Sequence, residues 1–284
     1  MTGLLASTRA ELLRLRKWPA LWVMGGVGLA LNILFGYVFD YLSYRGGSGS
    51  EITESLAPEQ VLSGLLPAHV PVTTVQGMPM FGGVILLILG ALTMGGGYGW
   101  GTWKTVFTQG PSRAAAYGGT LVALFTVVIV LVTAAFLLNF STATLIALAE
   151  SQPLAWPPAT GIVRAFGSAL LIYAMWTAAG ALAGTLARSP ALAVGLSMLW
   201  ALAIENLLRG VANVLGPIEA LANVLPGTAA GSLAGSLGAT AFSEDGTPGV
   251  LTTLSGGPAA LLLAAYTAAF AVAAGLLLIK RDTV

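Results

Sequence analysis

Apolar residues in this chain come in long blocks separated by short polar stretches, and only the beginning departs from that pattern. Over residues 3–17, Leu5, Thr8, Leu12 and Leu15 recur at steps of three and four and so share one helical face. Arg9, Arg14, Arg16 and Lys17 stay polar or snorkel. The pattern predicts a basic amphipathic helix over 1–18, lying on a membrane surface. The bland alternative is a frayed tail. Pro19 breaks this helix where the chain turns into the bilayer.

The blocks that follow are long enough to cross a membrane. Residues 20–39 hold Asn32 as their one strongly polar group. At ~1.5 Å rise per residue, about twenty residues cover a ~30 Å hydrocarbon core. Tyr37, Tyr41 and Tyr44 at the far end read as an interfacial aromatic belt. Further spans are predicted at 79–97, 114–149, 165–187, 191–208 and 258–279, six in all. The third is long because no charge falls between Arg113 and Glu150. The fifth has fourteen apolar residues before Glu205. It is either completed by Asn206-Leu207-Leu208 or followed by a re-entrant segment. Residues 45–77 read as an outer loop containing a short amphipathic helix, carried by Val61, Leu62, Leu65 and Leu66 and ended by Pro67 and Pro71. Residues 210–257, rich in Gly, Ala and Pro, are read as outside or re-entrant.

Composition agrees with a bilayer as solvent. Charged residues make up 8% of the 284, and mean hydropathy is +0.87, whereas soluble domains carry about 25% charge. The fold expected is all-α: one polytopic transmembrane domain over 1–284, with no cleavable signal peptide and no separate soluble domain. Net charge is +1, and basic and aromatic residues do not interleave, which argues against a nucleic-acid partner. There is no cysteine, which removes disulfides, thiolate metal sites and Cys nucleophiles. The charges also orient the chain. With the N-terminus inside, nine of the 12 Lys and Arg fall on the cytoplasmic side: Arg9, Arg14, Arg16, Lys17, Lys104, Arg113, Arg188, Lys280 and Arg281. Arg45, Arg164 and Arg209 fall outside. By the positive-inside rule both termini are cytoplasmic, and the expected location is the cell inner (plasma) membrane.

The most informative stretch is 98–113, between the second and third spans. It is far more aromatic than a plain connection. Trp100, Trp103 and Phe107 are spaced to share one side of a short helix, with Lys104 and Arg113 at or near its ends and Ser112 placed to cap the next helix. Such a helix on the membrane surface is suited to dock on a cytoplasmic partner and to carry its motion into two spans. The alternative is an interfacial turn with Trp anchors. It is not a phosphate loop: in Gly99-Trp100-Gly101-Thr102-Trp103-Lys104-Thr105, Trp103 stands where the second glycine belongs, and no strand precedes it.

Gly101-Thr102, Val106-Phe107-Thr108 and Gly110-Pro111-Ser112-Arg113 together resemble the cytoplasmic coupling region of ABC-2 type permeases, the membrane subunits of ABC transporters. The N-terminal elbow helix, six spans, extended outer region between the last two spans and basic tail are similar to that family as well. One departure is Gly97 before Tyr98, where many members carry an acidic residue. The resemblance implies that Gly101, Thr102, Trp103, Lys104, Phe107, Pro111 and Arg113 contact a separate cytoplasmic ATP-binding cassette subunit. That subunit would hold the ATP and Mg and hydrolyse the nucleotide; this chain would bind no cofactor and would not itself be an enzyme. It also implies a second permease chain, identical or different. The expected activity is export of an amphipathic or hydrophobic substrate such as a drug, peptide or lipid.

Polar groups near the spans offer other readings. Glu205 and Arg209, four apart, form either an ion pair at the outer end of the fifth span or a gate or substrate contact. Asp40, Glu150 and Arg164 are expected as solvated residues at span ends, Asn32 as a helix–helix hydrogen bond, and His69 as a solvated loop residue. The glycine runs Gly25-Gly26 with Gly28, Gly82-Gly83 and Gly95 to Gly97 suit close helix packing. A stand-alone channel or secondary transporter is the alternative function, favoured by the short fifth block, although no residue-level repeat relates the two halves. An intramembrane enzyme has little to build on, with one histidine in the chain.

Overall fold

The computed structural model describes residues 2–46, 57–108, 110–212, 216–239 and 247–281. The protein is an all-α polytopic membrane protein, with no strand among the described residues. In chain order the helices are α1 (Thr2–Lys17), α2 (Pro19–Gly46), α3 (Pro58–Gly64) and α4 (Val70–Gln76). There follow α5 (Met78–Gly99), α6 (Thr102–Thr108), α7 (Arg113–Ala149), α8 (Ala159–Ala187) and α9 (Pro190–Ala212). Last come α10 (Gly216–Asn223), α11 (Pro226–Gly235) and α12 (Gly256–Lys280). Among the described residues six of these, α2, α5, α7, α8, α9 and α12, are long and apolar enough to cross a bilayer.

α5 and α8 form the centre. Their most apolar windows are 67% and 56% buried, against 17–22% for α2, α9 and α12, which keep most of their surface for lipid. Lipid tails give two apolar helices no hydrophobic reason to associate, so small residues that let backbones touch must supply the contact. Gly180 and Gly184 lie one turn apart on α8. A Cβ on Gly180 would run into the Leu87 carbonyl of α5, and one on Gly184 would sit 2.6 Å from the Ala91 carbonyl oxygen. From the other side, a Cβ on Gly90 would run into the Thr177 carbonyl. α1 lies along the start of α7 in a similar way, with the Gly119 position 2.6 Å from Ser7 Cβ.

Much of the two segments read as outer loops is packed helix. Pro71 sits in the first turn of α4 and so begins a helix instead of ending one. Val70, Pro71, Thr73, Thr74 and Val75 are buried. The Asn139 side-chain amide of α7 donates to Thr74 Oγ1 at 2.7 Å, and that hydroxyl donates to the Val70 carbonyl at 2.7 Å. Asn32 does make a bond between helices, from Nδ2 to the Thr74 carbonyl at 3.5 Å. His69 is half-buried at the N-terminus of α4, not in an open loop. α11 is buried from Pro226 to Ala234. Ten residues are about 15 Å of helix, half a hydrocarbon core. The chain returning after 247 closes over it: the Leu251 N–H donates to the Gly231 carbonyl at 3.1 Å and the Leu254 N–H to Ser232 Oγ at 3.2 Å.

Two span ends also differ from expectation. Tyr37 is 1% exposed and belongs to the core, not to an interfacial belt. Glu150, just past α7, is clamped to the end of α2: Tyr41 donates to it at 2.7 Å, Tyr44 at 3.2 Å, and Arg45 pairs with it at 3.2 Å. The Tyr41 hydrogen bond, ahead of the Tyr44 bond and the Arg45 charge, holds the carboxyl below the usual carboxylate range. A lowered folded value means the clamp stabilises the fold above the unfolded value of about 4.3 and is lost as pH falls through the folded one. The melting temperature of the wild type should therefore exceed that of Glu150→Gln by a constant margin down to about pH 5. The margin should close below about pH 4. A margin unchanged at pH 3 would show that the ionised carboxylate is not what holds the clamp.

Candidate functional site

The segment joining α5 to α7 is a corner made of a short helix with a positive-φ glycine on either side. α5 ends at Gly99, and Gly101 has φ +67°, a conformation that costs glycine little and other residues more. α6 follows at Thr102, with Thr102 half-buried. Gly110 has φ +122°, Pro111 is half-buried, and Ser112 caps α7 by accepting from the Ala115 N–H at 3.2 Å. A short helix and its cap thus appear where 98–113 predicts them. Gln109, within this segment, lies outside the described residues.

The aromatic faces differ from the expected arrangement. Trp103 is 4% exposed, donates Nε1–H to the Met94 carbonyl at 3.3 Å, and stacks on Phe107 with centroids 5.5 Å apart. Trp100 is 66% exposed and belongs to the end of α5, so it does not share the Trp103 face. The space for the Trp103 indole is made by Gly97, where any Cβ would strike Nε1. This gives the glycine at the departure from the family pattern a packing role. Lys104 is exposed on the outer side of α6 together with Thr105 and Thr108.

Arg113 is turned inward. Its Nη1 donates to the carbonyls of Ile279 at 3.1 Å and Arg281 at 2.7 Å, and its guanidinium lies over the Phe107 ring, 5.4 Å from the centroid. It thereby covers the unpaired carbonyls at the end of α12. One turn on, Tyr117 donates to the Ala271 carbonyl of the same helix. Arg188, at the α8–α9 turn, lies 5.9 Å from the Tyr98 ring, and a Cβ on Gly95 would sit 3.0 Å from Pro190 Cα. The inner face of α6 is therefore tied directly to α5 and through Arg113 to α12, while the neighbouring end of α5 packs on the start of α9. Following the helices end to end places Arg9, Arg14, Arg16, Lys17, Lys104, Arg113, Arg188, Lys280 and Arg281 at this end of the bundle. Arg45, Arg164 and Arg209 lie at the other.

Glu205 lies in the opposite half, within α9, which passes it without interruption; a π-helical stretch over Leu199–Ile204 precedes it. It is 0% exposed. Its carboxylate accepts from Trp200 Nε1 at 3.0 Å and from the Gly227 backbone N–H at 2.9 Å. Gly227 is in the first turn of α11, so Glu205 sits on the N-terminus of that buried helix, where the helix dipole favours an anion. Arg209 does not pair with the carboxylate: Nε donates to the Glu205 carbonyl at 3.3 Å and Nη2 to Asn206 Oδ1 at 3.0 Å. The i, i+4 spacing puts the two residues on one face, but the acceptor groups there are backbone and amide oxygens. The partner of Glu205, 22 residues on in a segment without hydrophobic periodicity, gives no local signal. Among the described residues no three His, Asp or Glu side chains converge as metal ligands. No family model matches the chain, and no curated protein matches it.

Proposed function

We propose that this protein is the membrane-spanning permease subunit of an ATP-binding cassette exporter, driven by ATP hydrolysed on a separate cytoplasmic subunit. The observation that carries the reading is α6. It is a short helix presenting Lys104, Thr105 and Thr108 outward, while Trp103 and Phe107 lock it inward and Arg113 beside it straps the end of α12. A push on such a corner is delivered to several spans at once, because packed helix ends move as a body rather than deforming. The concentration of basic residues at this end supports a cytoplasmic orientation. The residue-level resemblance over 101–113 supports the partner class, and a second permease chain would complete the pathway.

The test is co-purification of the tagged chain with the products of its neighbouring genes. A stoichiometric ATP-binding subunit is expected. Lys104→Glu reverses the one exposed charge on α6 and touches no packing, so it should weaken capture about tenfold, the scale of one surface charge reversed at an interface. Membrane insertion should be unchanged. Arg113→Glu is the poorer probe, since it also releases the end of α12. A monodisperse single chain with no ATPase, or full capture by Lys104→Glu, would remove the assignment. The second reading, a channel or secondary transporter working alone, is favoured by a different observation: a half-length buried helix whose N-terminus meets a carboxylate from a span.

A further inference from the structure

α1 docks on the bundle by one face and leaves another open. Leu15 is 1% exposed, Leu12 packs on the core, and Ser7 lies against Gly119 of α7. The leucines that recur at steps of three and four therefore do not all lie on a membrane, because Leu12 and Leu15 turn to the protein. The open face is a different stripe. Leu5, Arg9, Leu13, Arg16 and Lys17 also follow one another at steps of three and four, and all five are exposed, the two leucines by 59% and 51%. We propose that this stripe binds anionic phospholipids, their phosphates held by Arg9, Arg16 and Lys17 and their acyl chains meeting Leu5 and Leu13.

Charge and position carry this together. The fourth cation of α1, Arg14, is paired with Glu11 at 2.8 Å. Among the described residues Glu11 is the only acid at this end of the chain's fold; Asp40, Glu59, Glu150, Glu205 and Glu219 all belong to the opposite half. Arg9, Arg16 and Lys17 make no ion pair among the described residues, so three cations face outward without a counter-charge. Trp22 fixes where they sit. Its indole N–H donates to the Arg16 carbonyl at 2.8 Å, while the residue is 65% exposed and continues into the exposed Val23 and Val27 of α2. A Trp with its N–H satisfied and its ring facing outward belongs at a membrane interface, which puts Arg16 beside the headgroups. The leucines decide the class of partner. A water-soluble acidic surface would take the cations and leave Leu5 and Leu13 uncovered, whereas a lipid takes both, its phosphate accepting charge-assisted hydrogen bonds from the guanidinium groups. A zwitterionic lipid gains less, because its own ammonium opposes the cations. This surface belongs to the chain alone and does not depend on an ATP-driven partner.

The test uses one fluorescent label. The chain contains no cysteine, so Ala10→Cys, exposed on α1 beside the stripe, carries a single fluorophore on the full chain in vesicles of phosphatidylcholine and phosphatidylglycerol. Bromine, which quenches on contact, is placed on the acyl chains of each lipid in turn, at equal mole fraction. Phosphatidylglycerol should be enriched at the label about fivefold over its share of the bilayer, the scale of one cation at an anionic surface. Arg9→Gln, Arg16→Gln and Lys17→Gln combined should bring that ratio to one. Raising the salt on the unsubstituted stripe from about 0.1 M to about 1 M should do the same, since the screening length falls from ~10 Å to ~3 Å. The salt series serves if the triple variant fails to insert. Equal quenching by the two lipids at low salt, or a preference that survives either change, overturns the proposal. A label quenched by neither lipid and emitting as in water overturns it as well, and gives the stripe to a soluble acidic partner.

Discussion

Gly180→Ala should unfold the bundle more readily than any other addition of one methyl group to α8. The new Cβ has no side chain to displace; it meets the backbone carbonyl of Leu87, and the α5 backbone is itself held by Gly90 against Thr177 and by Gly184 against Ala91. The helices must separate to admit it, and contact is lost along the whole crossing, because interiors are packed too densely to absorb the change locally. Overpacking of this kind costs about 3 kcal/mol. The favourable change in helix propensity from Gly to Ala, about 1 kcal/mol, works in the opposite direction and does not offset it. Gly167→Ala on the same helix is the control: nothing lies within 4 Å of its Cβ, so propensity alone acts and stability should hold or rise slightly. Thermal unfolding in detergent, followed by loss of the monodisperse elution peak, reads both. Equal melting temperatures for the two variants would show that the α5–α8 contact does not hold the fold.

That crossing also marks the limit of what the sequence discloses. The spans are legible because an apolar run of bilayer length fits little besides a membrane crossing. The glycines that matter are not, since 37 of them are spread through the chain and their spacing says nothing about which helix they face. The runs that stand out in the sequence do touch neighbours: Gly83 makes room for Trp176, and Gly97 for Trp103. Gly95 of the third run also meets backbone, at Pro190 and Gly184, but the tightest backbone contacts of the α5–α8 crossing belong to Gly90 and Gly180. A short helix in 98–113 is legible from its aromatic density and from Ser112 as a cap. Its faces are not, because Trp100 precedes the helix and the i, i+3, i+7 count assumes one continuous turn. Arg113 reads as a surface charge because its acceptors lie more than 160 residues away. α11 is hardest to see: its residues are Pro, Gly, Thr, Ala, Ser and Leu, a composition with no apolar stripe, and only its surroundings make it a buried helix.

Glu205 is the place where that buried helix is held, so Glu205→Ala is the second large effect expected. Removing the carboxylate leaves the Gly227 N–H without an acceptor where it is buried, and takes the partner from the indole N–H of Trp200, which is itself 42% exposed. An unsatisfied buried donor costs about 1–3 kcal/mol, and the loss should total about 3 kcal/mol, with the cavity adding to it. The cost falls first on α11, which has no side-chain cap from its own N-cap residue, Leu225. Glu205→Gln separates charge from geometry. Its single carbonyl oxygen still serves one N–H, but the amide NH₂ confronts the other, so the loss should be intermediate; an ionic role alone would make Gln as costly as Ala. The chain contains no cysteine, so one introduced thiol reports without background. Ala229→Cys, at a position 0% exposed, should resist a membrane-impermeant maleimide in the otherwise native chain. It should react readily once Glu205→Ala releases α11. A thiol that stays inert in that background, with an unchanged melting temperature, would mean that the walls of α4, α8 and α12 hold α11 without its cap.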